Sequence, residues 1–527
     1  MKDKQTYNND ASSISRTSAK ELKQDIFLAI NYSEQTLQPV RWSAQTLANK
    51  KIPLTNYEEN FGPIAPQIAN KHDLLMSKEL INNQSEACLN LNIYRSHSGT
   101  RAGDKKSKKL PVMVWIHGGG FTLGSGSIYD GKNLAEATNC LVVTLNYRLG
   151  ALGFLRLNDI THHEITSTGN EGLNDQVLAL QWIQENIEQY GGDNNNITLF
   201  GESAGAMSIA CLLAMPKAKG LFHKAILQSG AGHTYQSVKK ANALANEFIL
   251  SAQSLGFELA PLDPKKLAAQ LKALCTADLL NIQAHLISRP EIYSEYGLLP
   301  FKPVVGELEL PLPPHDAIKQ GCAVNIPIIS GHNSDEWTLF AAMLKQKITT
   351  DESLNYWLIS LLGSERVEQT KSLMSEQCLQ RHIKPTLQNL LTETLTEFWF
   401  AQPSYRLLNA QITAGGIAYG YKLGRKTVVS ALRCTHITDI GLVFNNLIRT
   451  FHGEAPRVTE LVREIQAYWG SFAHLDTPVF GSKSWPQMTN SSADTMVFDH
   501  LTTYEEIIST EKIEFWSKIS DEKLASF

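Results

Sequence analysis

The sequence lacks any long apolar segment. No run in it approaches the roughly 18 apolar residues that a membrane-spanning helix requires. Residues 1–24 are mostly polar and contain no apolar stretch of the kind found in a signal peptide. We therefore expect no membrane-spanning helix and no secretory leader, and we expect residues 1–24 to be poorly ordered.

Cysteine is scarce and shows no metal-binding pattern. The 527 residues include seven cysteines, an odd number, and no Cys-x-x-Cys motif, which argues against a zinc site. The formal net charge of −4 indicates no general affinity for nucleic acid or acidic lipid. These features favour a cytoplasmic protein with reduced thiols and with no nucleic-acid or membrane partner.

What is present is an alternation of short apolar runs with amphipathic segments. Six runs rich in β-branched and aromatic residues predict buried strands: 112–117, 140–147, 196–200, 224–229, 325–331 and 416–423. Residues 171–190 carry apolar side chains at helical spacing. This alternation predicts an α/β protein with a largely parallel sheet and helices on both faces. Two helix-rich stretches, about 237–286 and 350–400, are either a lid over a site or plain packing elements.

A nucleophile motif lies between one of these strands and a helical segment. Gly201-Glu202-Ser203-Ala204-Gly205 has the form Gly-x-Ser-x-Gly, which places a serine on a strained turn with its hydroxyl above the sheet. Small residues are needed two positions before and after the serine, because the strand and helix backbones approach closely there. The alternative is a glycine-rich turn that happens to contain serine. The strand and helix on either side favour the nucleophile.

A glycine-rich loop follows an earlier strand. Residues Gly118, Gly119 and Gly120 come directly after the predicted strand 112–117. An acyl-transfer serine needs backbone N–H donors where the carbonyl oxygen becomes an anion, and such a loop can supply them together with the amide of Ala204. The alternative is a structural or anion-binding loop. A phosphate-binding loop is disfavoured, because no lysine and serine or threonine pair follows the glycines.

Longer blocks of the sequence resemble the type-B carboxylesterase and cholinesterase family of α/β hydrolases, and its bacterial carboxylesterases in particular. The matching blocks occur in order between about Phe27 and about Phe498 and include residues 85–94, 115–121, 169–187, 190–193, 197–205, 222–230, 468–473 and 484–486. The resemblance implies a single α/β-hydrolase domain over residues 25–527. It also implies a large, mostly parallel central sheet flanked by helices, with helical insertions around the active site.

The resemblance also implies a catalytic triad of Ser203, Glu336 and His436. Glu336 matches the family's acid, which follows a strand, and Asp335 or a merely solvated carboxylate is the alternative. His436 matches a pattern of His, two residues, Glu and an apolar run ending in Val-Phe, with Asp439 in place of the glutamate. His452 is the rival histidine.

Other roles come from the same resemblance. It implies that the backbone amides of Gly119, Gly120 and Ala204 are the oxyanion donors. It also implies that Arg148 and Asp175 form a pair that supports the fold. His117 and His332 are expected to be structural.

Three positions depart from the family's pattern. Ala87 replaces a usual Asp, Cys88 has no upstream cysteine with which to form the disulfide of secreted relatives, and Trp337 stands where Gly commonly follows the acid. The family's first strands are not recognisable before Asp25. None of these changes removes a predicted catalytic group. Trp337 and Phe121 are expected either to line the pocket or to belong to the core.

The sequence thus predicts a serine carboxylesterase that hydrolyses small-molecule esters through an acyl-enzyme on Ser203, without a metal or an organic cofactor. Two other classes stay open. One is a binding protein that keeps the fold but has lost catalysis, although all three triad residues are present. The other is a hydrolase or acyl transferase that prefers amides or thioesters, because the same triad serves each acyl group.

Overall fold

The structure is a computed structural model that describes residues 25–34, 40–48, 60–68, 78–96, 108–490, 492–506 and 510–525. The segment expected to be poorly ordered, residues 1–24, lies outside these ranges. The strands are β1 Asp25–Asn31, β2 Asn90–Arg95, β3 Leu110–Ile116, β4 Leu141–Leu145, β5 Gly192–Glu202, β6 Lys224–Gln228, β7 Gln236–Ser237, β8 Val304–Val305, β9 Ile328–Asn333, β10 Ala418–Leu423, β11 Val479–Phe480, β12 Lys483–Ser484, β13 Asp494–Phe498 and β14 Thr502–Glu506.

Helices connect and cover these strands. They are α1 Lys78–Asn82, α2 Lys132–Thr138, α3 Gly150–Phe154, α4 Glu171–Asn186, α5 Ala204–Ala214, α6 Val238–Ser254, α7 Pro264–Ala273, α8 Thr276–Ser288, α9 Pro290–Tyr296, α10 Pro314–Lys319, α11 Trp337–Met343, α12 Asp351–Leu362, α13 Val367–Gln380, α14 Leu387–Thr396, α15 Gln402–Thr413, α16 Thr438–Phe444, α17 Arg449–His452, α18 Pro456–Leu475, α19 Thr510–Ser517 and α20 Asp521–Leu524. A π-helical turn, Glu397–Ala401, joins α14 to α15.

The main sheet has the strand order β1-β2-β4-β3-β5-β6-β9-β10-β13-β14 within the described residues. The seven strands from β4 to β13 in this order run parallel, and antiparallel pairing occurs at the two edges, where β1 joins β2, β2 joins β4 and β14 joins β13. The six predicted strands are confirmed as β3, β4, β5, β6, β9 and β10. The sheet is therefore mostly parallel, as the alternation of runs predicts.

Both faces of the sheet are buried, which explains why the strands read as continuous apolar runs. Successive side chains of a strand point to opposite faces. In β3, Val112, Val114 and Ile116 join one core cluster, whereas Met113 and Trp115 join the other. Helix α4, with the 3₁₀ turn Ile187–Tyr190 after it, accounts for the predicted helix 171–190.

The two helix-rich stretches are also helical in the structure. Residues 237–286 form α6, α7 and most of α8, and residues 350–400 form α12 to α14 and the π-helical turn. Within the described ranges, no helix is both long and apolar enough to cross a lipid bilayer.

Candidate active site

Ser203 occupies the turn between the end of β5 and the start of α5. Its backbone has φ 55° and ψ −125°, a conformation that side-chain-bearing residues rarely adopt. Hydrogen bonds hold the turn on both sides: the Ser203 N–H donates to the carbonyl of Gln228 at 2.9 Å, and the N–H of Met207 donates to the carbonyl of Ser203 at 2.9 Å. These two hydrogen bonds, one to the neighbouring strand and one within the first turn of the helix, stabilise the strained backbone conformation of Ser203.

The small residues around Ser203 are required by close backbone packing, as the sequence predicts. A Cβ atom at position 205 would lie 1.9 Å from the carbonyl oxygen of Ile116, at the end of β3. A Cβ atom at position 201 would lie 2.7 Å from the same oxygen. The end of β3 thus presses against the serine turn and brings the glycine-rich loop that follows β3 to the same place.

This glycine-rich loop lies against the serine. A Cβ atom at position 118 would lie 3.1 Å from the Cβ of Ser203. Gly119 has φ 108°, and its carbonyl accepts the N–H groups of Thr122 and Leu123, which closes a tight turn. The amides of Gly119 and Gly120 donate no hydrogen bond to any described residue, and neither does the amide of Ala204.

His436 and Glu336 form a buried, hydrogen-bonded pair. Nδ1 of His436 lies 2.6 Å from Oε2 of Glu336, and the other carboxylate oxygen accepts the backbone N–H of Asn333 at 2.6 Å. The side chain of Glu336 is fully buried. It sits between the end of β9 and the start of α11, so a strand end and a helix start both fix its position. Such a pairing orients an imidazole and stabilises its cation.

Aromatic rings enclose the imidazole. The rings of Phe340 and Phe400 lie 5.0 Å and 4.8 Å from that of His436. Trp337 packs behind Phe340, with its ring 5.1 Å away, and donates a hydrogen bond from its indole nitrogen to Gln346. Trp337 and Phe121 are both fully buried, so the structure places them in the core.

Glu202, at a variable position of the serine motif, is a second buried acid at the site. Its Oε1 lies 3.2 Å from Nε2 of His436. Neither of these two atoms makes a hydrogen bond to the described residues. Burial raises the pKa of Glu202 to about 8. Burial opposes protonation of His436, but the carboxylates of Glu202 and Glu336 outweigh it and raise the pKa of the imidazole to about 9.

The structure separates the rival residues from this pair. Asp335 is fully buried but forms ion pairs with Arg381 at 2.8 Å and with Arg433 at 3.1 Å. Nδ1 of His452 accepts the backbone N–H of Ile448 at 3.0 Å. Of the two acids and two histidines considered in the sequence, Glu336 and His436 are therefore the pair that meets.

A buried amide, Asn333, connects the Glu336 loop to the His436 loop, and a further acid, Asp439, connects the His436 region to the end of β6; sequence reasoning assigned a role to neither of them. The side-chain amide of Asn333 donates to the carbonyls of Thr435 and His436 at 2.8 Å and 2.9 Å. Asp439 accepts the amide of Gln228 at 2.8 Å. Burial raises the pKa of Asp439 to about 6. The position of Asp439 three residues after His436 was visible in the sequence, but Asn333 carried no signal beyond its place at a strand end.

Arg148, Asp175 and His117, three of the residues expected to be structural, have structural contacts. Arg148 donates to both carboxylate oxygens of Asp175, at 2.7 Å each, and both side chains are buried. The ring of His117 stacks on that of Tyr147 at a centroid distance of 4.4 Å, and its Nδ1 lies 2.8 Å from the carbonyl of Gly118. Burial lowers the pKa of His117 to about 4, so this ring is neutral.

A parallel sheet with a serine on a strained strand-to-helix turn defines the α/β-hydrolase fold. Residues 13–516 match the model of the carboxylesterase family. The chain is 36% identical to the para-nitrobenzyl esterase of Bacillus subtilis over 462 residues, which is 86% of each chain. It is 30% identical to carboxylesterase 1E of Rattus norvegicus over 525 residues, 94% of this chain and 89% of the relative.

Solved structures agree with these sequence comparisons. A thermophilic PNB esterase superposes with a TM-score of 0.76 at 32% identity, over 93% of this chain and 96% of its own. A carboxylesterase of Geobacillus stearothermophilus gives a TM-score of 0.74 at 29% identity, over 94% of this chain and 96% of its own. The chain belongs to the carboxylesterase family. The expected resemblance is confirmed, and the protein is a carboxylic ester hydrolase.

Proposed function

We propose that the enzyme hydrolyses small-molecule carboxylic esters through an acyl-enzyme on Ser203, with His436 as general base and acid and Glu336 as its buried partner. The observation that carries this assignment is the 2.6 Å contact between Nδ1 of His436 and Glu336, which leaves Nε2, 3.2 Å from Oε1 of Glu202, as the ring nitrogen that Glu336 does not engage. Nε2 is therefore the nitrogen able to exchange a proton with the serine.

The reaction takes place in two acyl-transfer steps. His436 accepts the proton of Ser203 as the serine oxygen attacks the ester carbonyl, and the resulting imidazolium protonates the departing alcohol. Water then attacks the acyl-enzyme with His436 again as base. The imidazolium returns the proton to the Ser203 oxygen as the carboxylic acid leaves, and Glu336 orients the imidazole and stabilises its cation. This chemistry requires no metal and no organic cofactor.

The oxyanion of each tetrahedral intermediate is assigned to the amides of Gly119, Gly120 and Ala204. The support is that these three amides donate no hydrogen bond to the described residues and that the glycine-rich loop lies against Ser203. Donors already fixed in place need no rearrangement as charge develops, and loss of one such donor typically costs about 3 kcal/mol of transition-state stabilisation.

The test compares hydrolysis of p-nitrophenyl acetate and p-nitrophenyl butyrate by the wild type, Ser203→Ala and Ser254→Ala. Ser254 is an exposed serine at the end of α6 and serves as the matched control. We expect Ser203→Ala to lose several orders of magnitude in kcat and Ser254→Ala to retain full activity. Equal activity in the two variants would contradict the assignment. Rates on matched amides and thioesters would show whether the enzyme prefers esters. Neither the binding-protein alternative nor the amide or thioester alternative has better support than ester hydrolysis.

Two further proposals concern the chain as a whole. Residues 25–527 are proposed to fold as one domain, because strands near both ends of this range share a single sheet; a single cooperative unfolding transition would support this.

A cytoplasmic location is proposed because all seven cysteines are free and five of them are buried. Recovery of the enzyme in a periplasmic or secreted fraction would contradict it.

A further inference from the structure

A cavity of about 690 Å³ lies apart from Ser203, His436 and Glu336, none of which lines it. Its floor is formed by β9 and β10, and its walls by α13, α15, α19 and the π-helical turn. Side chains alternate along β9, so His332 points away from the face on which Asn333 contacts the His436 loop. The cavity therefore opens on the face of the sheet that the triad does not use.

Lys422 lies on this floor without an ion-pair partner among the described residues. It is the register partner of His332 in the pairing of β10 with β9, so the two side chains lie next to each other on the same face. Nζ of Lys422 forms no hydrogen bond and no ion pair with the described residues. A half-buried ammonium group without a partner is costly, and an anion in the cavity would offset that cost.

The carboxylates near Lys422 are already paired with other cations. Glu397 pairs with Lys512 at 2.5 Å, and Glu393 pairs with Arg381 at 2.6 Å. Burial lowers the pKa of Lys422, and the positive charges of Arg381 and Lys512 act in the same direction against the attraction of the two glutamates. Among the described residues, Arg381, Lys512 and Glu397 of the inner wall thus all have ion-pair partners, whereas Lys422 has none. The remaining acids of the lining, Glu376 and Glu511, are exposed at its rim.

Neutral hydrogen-bonding groups accompany the lysine. The hydroxyls of Ser330 and Ser404 are buried, line the cavity and have no hydrogen-bond partner among the described residues. Burial lowers the pKa of His332 to about 3, so its neutral ring offers one donor and one acceptor. Buried polar groups are normally satisfied, and each of these could bond a ligand oxygen.

Part of the lining is apolar. Leu408 and Met488 cover Gly420, where a Cβ atom would lie 3.5 Å from the leucine and 2.9 Å from the methionine sulfur. Leu373 adds a further aliphatic side chain. A bare inorganic ion would leave most of such a cavity unfilled, whereas cavities of roughly 300–1,000 Å³ are typical of sites for small organic ligands. We infer that this cavity binds a small organic acid, with its carboxylate at Lys422 and its hydrocarbon part against Leu408 and Met488.

The test measures binding by calorimetry, with hexanoate and inorganic phosphate as separate probes. The variants are Lys422→Met and Lys426→Met, the latter a matched control because Lys426 is an exposed lysine just beyond the same strand. Hexanoate is expected to bind the wild type and Lys426→Met alike and to bind Lys422→Met at least tenfold more weakly. Equal binding to both variants would overturn the inference, and so would phosphate binding more tightly than hexanoate. Competitive inhibition of ester hydrolysis, measured in parallel, separates hexanoate at the catalytic site from hexanoate in the cavity.

A second measurement uses the wild type alone and so does not depend on the folding of a variant. Reductive methylation followed by peptide mass spectrometry reports how fast each lysine reacts. Hexanoate is expected to slow the labelling of Lys422 several-fold and to leave that of Lys426 unchanged. Unchanged labelling of Lys422 at saturating hexanoate would overturn the inference. Neither measurement depends on turnover, so a failure here is distinct from a failure of the Ser203 assignment.

Discussion

The contact between Glu202 and His436 makes a quantitative prediction for the pH dependence of activity. A general base must be neutral to accept a proton, so activity rises with pH through the pKa of His436. In this site the pKa of the imidazole lies above its ordinary value of about 6.5. The perturbation is Glu202→Gln, which keeps the shape of the side chain and removes its charge.

The magnitude follows from the 3.2 Å separation of the two side chains. Unit charges at this separation attract by about 5 kcal/mol at an effective dielectric constant of about 20. One pKa unit corresponds to about 1.4 kcal/mol, so a full charge on Glu202 would raise the pKa of His436 by about 4 units. Because burial raises the pKa of Glu202 itself to about 8, the carboxyl carries its charge only part of the time near neutral pH. The two groups titrate together, and we expect a net effect of about 1 to 2 units.

The assay is kcat/KM for p-nitrophenyl acetate as a function of pH, which reports the ionisation of the free enzyme. The acidic limb of the wild type is expected to have its midpoint above pH 6.5, and that of Glu202→Gln is expected about 1 to 2 units lower. Glu188→Gln, at an exposed acid paired with Lys109, should leave the midpoint unchanged. A midpoint that stays in place or rises in Glu202→Gln would refute the electrostatic reasoning, whatever the change in absolute rate.

The remaining predictions concern stability and loop position. Arg148→Met leaves Asp175 buried without its ion pair and should lower the free energy of unfolding in urea by about 3–5 kcal/mol, and adding Asp175→Leu should recover part of this loss. Gly205→Ala has no room for its methyl group and should give little folded protein; a wild-type melting temperature would contradict the packing. Asp335→Asn should lower kcat more than it changes KM, because Arg433, in the His436 loop, loses the charge that holds it to the Glu336 loop. His452→Gln should retain most of the activity, and a loss like that of a triad variant would reopen the choice of histidine.

Most of the fold could be predicted from patterns within short segments of the sequence. The strands could be read from the sequence because the sheet is buried on both faces, which makes each strand a short apolar run with distinct ends. The serine turn was equally readable, since the strained backbone and the close approach of Ile116 impose small residues at fixed positions. In both cases burial or close packing restricts the types of residues that are adjacent in the sequence, so the restriction is visible as a local pattern.

The electrostatics of the site could not be read in this way. Glu202 stands at a variable position of the serine motif, and its role depends on His436, which is more than 230 residues away along the chain. The choice between Glu336 and Asp335 came from family resemblance, because two adjacent acids after a strand are equivalent until their partners are known. The cavity around Lys422 could not be predicted from the sequence, because the sequence around a single lysine in an apolar strand does not show whether that lysine has an ion-pair partner in the fold.

The two adjacent acids, Asp335 and Glu336, are both buried because each has its own polar partners. Glu336 faces His436, while Asp335 faces Arg381 and Arg433. The backbone N–H of Asp335 also donates to the carbonyl of Cys434, two residues before the histidine, at 2.9 Å. The loop around His436 is thus tied to the loop around Glu336 by the Asp335–Arg433 ion pair, by this backbone bond and by the amide of Asn333. Buried charges hold a geometry firmly only when every partner is in place. We therefore expect the short His436–Glu336 contact to loosen when Asp335 or Arg433 is replaced, although neither residue makes that contact.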